Sequence, residues 1–338
     1  MPFGSLGLGL GLGAHRIVDR YGNMPATFTV TAGDGTKCVR VKVSETTTVT
    51  PAGGTSIRIG SSGDFVTTPL TLAANTNQDI YFSGAGSFTI PQRKLVTYLV
   101  LSSLGSSVIT GDITGMKLTY LLLSVLGSSV ITGDITGMKL TYLLLSSLGS
   151  SVITGDIAGM KLTYLVLNNI GSSVIRGKIT GMELTTLYLD TLGSSAITGD
   201  ITGMKLTSLY LGDLGSSVIT GDITGMKLTY LYLNDLGSSL TYGTNPLNIT
   251  NINGIQLLGN TVFSANEYIQ LFADAATCVT DGKWTASTKV MTISGGDNPG
   301  WSNVSEYYGT IVGGGVTVKV PLAWESGEDP FPPETPNP

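Results

Sequence analysis

Acidic residues that recur at a fixed spacing are the first candidates for chemistry in this sequence. They are Asp112, Asp134, Asp156, Asp200 and Asp222. Carboxylates stacked in this way can bind Ca²⁺ or serve as a general acid and base. A lysine follows each of them five residues later, and the one exception, Lys178 with Glu183, inverts both signs together. We therefore interpret the row as a charge-balanced surface ladder of pairs such as Asp134–Lys139, and we predict no metal site there.

Nucleophilic catalysis would need a base, and the sequence has a single histidine, His15, in a glycine-rich segment. None of the motifs G-x-S-x-G, P-loop or H-E-x-x-H is present. The run GLGLGLG contains the glycines of a dinucleotide fingerprint. However, no strand pattern precedes it, and no helix with an acidic residue about 20 positions later follows. We predict that the chain is not an enzyme and holds no cofactor.

Composition excludes several classes of partner. Charged residues make up 12% of the chain and the net charge is −5, which does not favour nucleic acid. Cys38 and Cys278 have neither a C-x-x-C companion nor a nearby histidine, so we predict thiols that bind no zinc and form no disulfide.

No apolar run approaches the ~20 residues of a membrane span. Residues 1–16 lack the basic start and cleavage site of a signal peptide, so export by the general secretory route is not expected.

The elements that must position these residues are copies of one another. The tripeptide Gly-Ser-Ser recurs every 22 residues without an insertion, at Gly105, Gly127, Gly149, Gly171, Gly193, Gly215 and Gly237. Such strict spacing indicates that each unit makes one turn of a solenoid. In the turn at residues 118–126 one inward set is expected to contain Leu118, Leu121, Leu123 and Leu126. Ile109 and Ile113 form another inward set. Stacking neighbouring turns at about 4.8 Å would close this core.

One unit, LTYLLLSVLGSSVITGDITGMK, reads L-x-x-L-x-L-x-x-L over its first nine residues. It resembles the leucine-rich repeat family, whose units run about 20–29 residues. Its ITGDI portion is similar to the L-x-G-x-I stretch of the plant-type subclass. The seven units depart from the family in carrying Leu-Gly in place of its asparagine, whereas ITNINGIQLLGNTV restores the pattern with Asn260. The resemblance covers roughly residues 94–320 and implies a fold, not a function.

The predicted fold is mainly β with an α/β end: a leucine-rich-repeat solenoid with a β-rich N-terminal cap and an α/β C-terminal closing region. Ser264 is the expected N-cap of a helix in the closing region, and a second short helix is expected near residues 302–312. The expected segments are a Gly/Leu-rich arm (1–23), the β-rich cap (24–93), seven repeats (94–240), irregular closing repeats with helices (241–320) and a Pro-rich acidic tail (321–338).

Residues between the inward leucines of each strand should point outward together. We predict that they form an exposed stripe of several hundred Å², a size that marks a contact site. Its members are Tyr98, Tyr120, Leu122, Tyr142, Leu144, Tyr164, Val166, Tyr188, Tyr210, Tyr230 and Tyr232. The aliphatic part suits a protein partner and the tyrosine part suits sugar rings equally well. Alternatively, another segment of the same chain covers the stripe.

The arm has leucines at alternate positions, Leu6, Leu8, Leu10 and Leu12, with glycines between them. If extended, it places leucine on one face and glycine on the other, so that a second backbone can approach closely. We predict that the arm binds copies of the same chain.

The function expected from these features is that of a non-enzymatic structural and recognition protein. The segment TISGGDNPG…VTVKV resembles the closing units of leucine-rich proteins from bacterial surfaces and phage virions. We expect a self-assembling fibre or spike component of a phage virion, acting in host attachment or as a spacer. Its expected partners are copies of itself, other virion proteins and a host-surface glycan or protein. The alternative is a bacterial cell-surface adhesin or extracellular fibre protein; an enzyme on a β-solenoid has little support.

Overall fold

The computed structural model describes residues 21–223, 225–234, 240–243, 252–259, 263–294, 299–321 and 324. It is a mainly β protein with few helices, built as a repeating β-solenoid of about seven turns spaced by about 22 residues. The predicted repeat architecture is therefore confirmed. The chain divides into two compact units. The first contains the residues up to Leu162 together with Asn169–Gly177 and Gly193–Ser195, and the second contains Thr163–Asn168, Lys178–Leu192 and the residues from Ala196 onward.

Each turn contributes two strands, which we call the leucine strand (pattern YLLLS) and the Gly-Asp strand (pattern VITGD). The leucine strands of the first unit are β8 (Val96–Ser102), β10 (Tyr120–Ser124) and β12 (Tyr142–Ser146). Its Gly-Asp strands are β9 (Val108–Asp112), β11 (Val130–Asp134), β13 (Val152–Asp156) and β15 (Val174–Lys178). Like strands pair in parallel, and the leucine strands pair residue on equivalent residue, for example Leu121 with Leu143.

Seven antiparallel strands precede these turns. They are β1 (Ala26–Ala32), β2 (Asp34–Val43), β3 (Thr47–Ala52), β4 (Ser56–Ile59), β5 (Leu70–Leu72), β6 (Gln78–Ser83) and β7 (Gly86–Ile90), followed by a 3-10 turn at Arg93–Leu95. Strand β1 pairs with β9, and β2 pairs with β8, both antiparallel. These strands therefore cover the edges that the first turn would otherwise present to other chains. Gly111 is required at this junction because a Cβ there would lie 2.7 Å from the ring of Phe28.

The second unit continues the same two kinds of strand and then changes. Its leucine strands are β14 (Tyr164–Asn168), β16 (Thr186–Asp190), β18 (Ser208–Leu211) and β20 (Tyr230–Asn234), and its Gly-Asp strands are β17 (Ala196–Asp200), β19 (Val218–Asp222) and the short β21 (Leu240–Thr241). Three further parallel strands follow β20 in order: β22 (Gly254–Leu258), β23 (Val290–Ile293) and β24 (Thr317–Lys319).

In the described part of this closing region, two helices replace the Gly-Asp strands, α1 (Ala265–Thr280) and α2 (Trp301–Gly313). Helix α1 begins at the predicted N-cap, Ser264. The Ser264 hydroxyl accepts from the backbone N–H of Glu267, whose carboxylate accepts the backbone N–H of Ser264 in return at 2.8 Å. This reciprocal capping box satisfies two donors that the first helical turn leaves without partners. Neither helix is long and apolar enough to cross a membrane, within the part of the chain described.

The predicted core is confirmed. The residues with no exposed surface include Leu118, Leu121, Leu123, Leu126, Ile109 and Ile113, and the equivalent positions of later turns are buried in the same way. The alternation of leucine with outward residues produces a strand, because successive side chains in a strand point to opposite faces. No disulfide joins the described residues Cys38 and Cys278; Cys38 is half-buried, and burial raises the pKa of its thiol.

A ladder of buried serines links one turn to the next. Its members are Ser107, Ser129, Ser151, Ser173, Ser195 and Ser217, the second serine of each Gly-Ser-Ser. In each link a serine hydroxyl accepts the backbone N–H of an isoleucine one turn earlier, as at Ile131, whose nitrogen lies 2.8 Å from Ser151 Oγ. The same hydroxyl donates to the carbonyl oxygen of Ser129 at 3.2 Å. We name these residues the serine ladder.

A second recurring feature is a left-handed residue just before Leu-Gly-Ser-Ser. The backbone φ lies between 34° and 50° at Ser103, Val125, Ser147, Asn169, Thr191 and Asp213. Asparagine and aspartate tolerate this conformation, whereas a β-branched residue is strained in it. The strain is therefore expected at Val125 and Thr191 in particular.

We expect Ser151→Ala to lower the free energy of unfolding by about 1–3 kcal/mol, because the Ile131 N–H would be buried without an acceptor. The neighbouring Ser150 is exposed, so Ser150→Ala is the matched control and should change stability by less than about 0.5 kcal/mol. Urea unfolding monitored by circular dichroism measures both. Equal unfolding midpoints for the two variants would show that the serine ladder does not stabilise the fold.

We expect Val125→Asn to raise the free energy of unfolding by about 1 kcal/mol, because it relieves the strain of a β-branched residue at φ 49°. Asn169 already occupies the equivalent position. Val218 is the control: it is 50% exposed, close to the 53% of Val125, but lies in extended backbone, so Val218→Asn should not stabilise. Thermal unfolding that shifts downward for both variants would contradict the assignment of strain.

Candidate recognition face

The outward side chains of the leucine strands form columns, because equivalent residues of successive strands lie side by side. In the first unit one column contains Tyr98, Tyr120 and Tyr142. Their rings are stacked, with centroids 4.2 Å apart for the first pair and 4.0 Å for the second. Lys42 places its ammonium 5.6 Å from the centroid of the Tyr98 ring. The tyrosines are half-buried, and burial raises the pKa of Tyr98, with the neighbouring Tyr120 adding to the effect.

The second outward column of the first unit is aliphatic. Val100, Leu122 and Leu144 are paired in register and are each half-buried. Arg40 of β2 lies opposite Val100 and forms an ion pair with Asp79, with Nε and Oδ1 2.6 Å apart. In this unit the residues of the predicted stripe lie as a row of tyrosines beside a row of aliphatic side chains.

In the second unit the tyrosines change column. Tyr164 and Val166 of β14 lie opposite Thr186 and Tyr188 of β16. From Tyr188 onward the second column is aromatic, and Tyr188, Tyr210 and Tyr232 stack with centroids 3.9 Å apart in both pairs. Burial raises the pKa values of Tyr188 and Tyr210, so both hydroxyls stay protonated at neutral pH and can donate hydrogen bonds.

The first column of the second unit contains smaller residues. Thr186 and Ser208 occupy positions that tyrosine fills in the first unit, and Gly254 follows Tyr230. Tyr230 therefore has Ser208 on one side and Gly254 on the other, and it is 55% exposed. A cleft of about 470 Å³ opens around this ring. The lining includes Tyr188, Tyr210, Tyr232, Asn253, Gln256 and Thr288.

The structure places all the predicted stripe residues on outward positions of leucine strands, but it brings them together in two kinds of surface. Tyr98, Tyr120, Tyr142, Leu122 and Leu144 belong to the first unit. Tyr164, Val166, Tyr188, Tyr210, Tyr230 and Tyr232 belong to the second. Sequence reasoning missed Asn253, Gln256 and Thr288, because they follow the last regular repeat. Leu6, Leu8, Leu10, Leu12 and His15 lie outside the described residues.

The regularly spaced aspartates close turns. Asp134 Oδ1 accepts the backbone N–H of Thr136 at 2.8 Å, and Asp112, Asp156 and Asp200 make the equivalent bond at 2.8–2.9 Å. The Thr136 hydroxyl in turn accepts the backbone N–H of Asp156 at 3.1 Å. An aspartate that bonds the N–H two residues on is a common way of fixing a turn.

The predicted ion pair between Asp134 and Lys139 is wrong. Across the described residues no ion pair within 4.0 Å joins Asp134 to Lys139, and Asp112 pairs instead with Arg93, with Nη1 and Oδ2 2.7 Å apart. The pKa of Asp200 is lowered mainly by hydrogen bonds from Thr202, with a smaller contribution from the Lys178 charge.

Lys178 stands where the other repeats have aspartate, and residues near it also depart from the repeat pattern. Ala158 stands where other turns have threonine, and Arg176 stands where they have a small residue. Asp134, Asp156 and Arg176 line a shallow surface depression of about 500 Å³ in the first unit. Within the described ranges, no group of three or more His, Cys, Asp or Glu residues is arranged to hold a metal ion.

Comparisons with known proteins give no relative. No protein-family model matches the chain, and neither the curated proteins nor the solved structures contain a match. The resemblances to leucine-rich repeats and to virion and surface proteins therefore depend on the quoted residues alone.

We expect Asp134→Ala to lower the free energy of unfolding by about 0.5–1.5 kcal/mol, because the Thr136 N–H loses its acceptor. Asp134→Asn keeps an oxygen at that position and should stay within about 0.5 kcal/mol of the parent chain. Lys139→Ala is the control that separates turn closure from ion pairing, and it should be neutral. A loss for Lys139→Ala equal to that for Asp134→Ala, measured by urea unfolding, would restore the pairing hypothesis.

Proposed function

We propose that the chain is a non-enzymatic structural and recognition protein, a self-assembling leucine-rich fibre or spike component of a phage virion. The observation that carries the recognition role is the outward face of the leucine strands. There the Tyr98–Tyr120–Tyr142 stack stands beside the aliphatic column of Val100, Leu122 and Leu144. Amphipathic tyrosines with neighbouring aliphatic side chains are typical of contact surfaces.

The stacked rings favour binding for an entropic reason. A side chain that becomes ordered at an interface costs about 0.5–1.5 kcal/mol, and that cost opposes association. Tyr120 is held between Tyr98 and Tyr142 before any partner arrives, with interplanar angles of 18° and 10°. A partner therefore meets a surface that is already ordered. This supports recognition through the face rather than a purely spacing role.

The repeat supports the structural part of the proposal. Equivalent residues make equivalent hydrogen bonds in successive turns, as the serine ladder shows, so a turn can be added without changing the contacts of its neighbours. The aspartates accept backbone N–H groups in turns, which supports a structural role for these carboxylates. The relationship to leucine-rich repeats is part of the proposal. It is supported by the second and third leucines of L-x-x-L-x-L, which lie in a parallel strand, as Leu121 and Leu123 do.

We propose that assembly depends on the leucines of the arm, Leu6, Leu8, Leu10 and Leu12. Ordering about ten residues costs on the order of 10 kcal/mol, at about 1–2 kcal/mol each. Burying four leucines returns roughly 6–12 kcal/mol. Because these terms nearly cancel, backbone hydrogen bonds to a neighbouring copy would decide whether the arm binds. The resemblance of the closing units to virion proteins supports placing this assembly in a virion.

We expect deletion of residues 1–14 to leave a folded, soluble chain that no longer forms oligomers, because the proposed contact between copies is removed. Static light scattering of the full chain and of the truncated chain measures this, with circular dichroism as the check on folding.

The control is a full chain with Leu122→Glu and Leu144→Glu, which should assemble as the parent does but lose binding of the labelled protein to a panel of bacterial strains. If the truncated chain still forms oligomers of the parent's size, the arm is not the assembly element and the virion proposal loses its main physical support. If the double variant binds cells as the parent does, the face is not the recognition surface.

A further inference from the structure

Tyr210 and Tyr230 of the outward face differ in how their rings are covered. Tyr210 has a ring on each side, Tyr188 and Tyr232, with centroids 3.9 Å away, so both of its faces are covered. Tyr230 has no ring stacked on it among the residues that the structure describes. Its in-register neighbours are Ser208 and Gly254. Tyr210 therefore presents its edge and hydroxyl to a partner, whereas Tyr230 presents the face of its ring.

The space beside Tyr230 exists because the side chains next to it are small. A tyrosine in place of Ser208 would continue the column seen in the first unit and would cover the ring. Gly254 leaves the other side open: a Cβ built there would still lie 3.8 Å from the Tyr230 ring. The resulting cleft of about 470 Å³ lies within the range of about 300–1,000 Å³ that is common for small-molecule sites.

The polar side chains that line this cleft are uncharged and can form hydrogen bonds with a ligand. Asn253, Gln256 and Thr288 line it, and in the described part of the chain no protein hydrogen bond engages the side chains of these three residues. Each can both donate and accept. No charged residue is among the described lining residues. A charged ligand would be desolvated here without an opposite charge to compensate it, which disfavours anionic and cationic ligands.

We infer that this cleft binds an uncharged carbohydrate, with a sugar ring lying on the face of Tyr230 and its hydroxyls hydrogen-bonded to Asn253 and Gln256. A pyranose ring has an apolar C–H face that matches an aromatic face, and it carries hydroxyls around its rim that match amide side chains. An apolar peptide segment would leave the amides of Asn253 and Gln256 without partners, which costs free energy. The inference rests on the proposed recognition function and assigns it a ligand class.

The test is a titration of the full chain with a panel of neutral oligosaccharides built from glucose, galactose, mannose and N-acetylglucosamine. Binding is measured by isothermal titration calorimetry and by the quenching of tyrosine fluorescence. At least one should bind, and Tyr230→Ala should weaken it at least tenfold while Tyr230→Phe retains it. Ser208→Tyr should also abolish binding, because the new ring would cover Tyr230 without removing it. Val312→Ala, an exposed position on α2, is the control and should bind as the parent does.

Three results would overturn the inference: no neutral oligosaccharide bound in the millimolar range, equal binding by Tyr230→Ala, or preferential binding of a sulfated or sialylated sugar. Because Ser208→Tyr adds a residue that the column accommodates elsewhere, it keeps the test valid even if Tyr230→Ala unfolds. The proposed function fails separately, through persistence of assembly without residues 1–14. Loss of sugar binding with normal assembly would therefore count against this site alone.

Discussion

The serine ladder is the constraint on which the rest of the structure depends. Each turn must place a backbone N–H and a carbonyl group inside, where no water satisfies them, and one hydroxyl per turn bonds to both. Ser151 accepts from Ile131 and donates to Ser129. A hydroxyl can do this only if the next turn lies at one fixed offset, so the ladder sets the register of the Gly-Asp strands. The invariant 22-residue spacing then follows, since an inserted residue would break two buried hydrogen bonds at once.

The apolar part of this architecture could be predicted from the sequence, because it depends on periodicity. Leucines at alternate positions require a strand with one buried face, and the capping-box residues Ser264 and Glu267 mark a helix start. The serine ladder could not be read in the same way. Serine is usually exposed, and nothing in Gly-Ser-Ser indicates which serine is buried. The Asp134–Lys139 prediction was wrong for a related reason: a charge pattern does not reveal that a backbone N–H reaches the carboxylate first.

Part of the candidate site could also be predicted from the sequence. Outward tyrosines follow from the strand period, but their stacking follows from register, which places identical residues of adjacent strands side by side. Stacking changes what the face can do, because a covered ring offers only its edge. The cleft at Tyr230 depends on Gly254 and Gln256 from a strand beyond the regular repeats, and a repeat pattern carries no information about residues that depart from it.

A fold made of equal turns restricts where a binding site can arise. Inward positions are fixed by the core, and turn positions are fixed by the serine ladder and by the aspartate bonds. Outward positions are free to vary, yet identical residues there cover one another. A site with an open face can therefore form only where a column is interrupted, as at Ser208 and Gly254 on either side of Tyr230. The same reasoning applies at Arg176, which stands where other turns have a small residue and lines a shallow depression. In this chain the repeated positions form the scaffold, and the irregular positions are where a cleft or a depression can form on its surface.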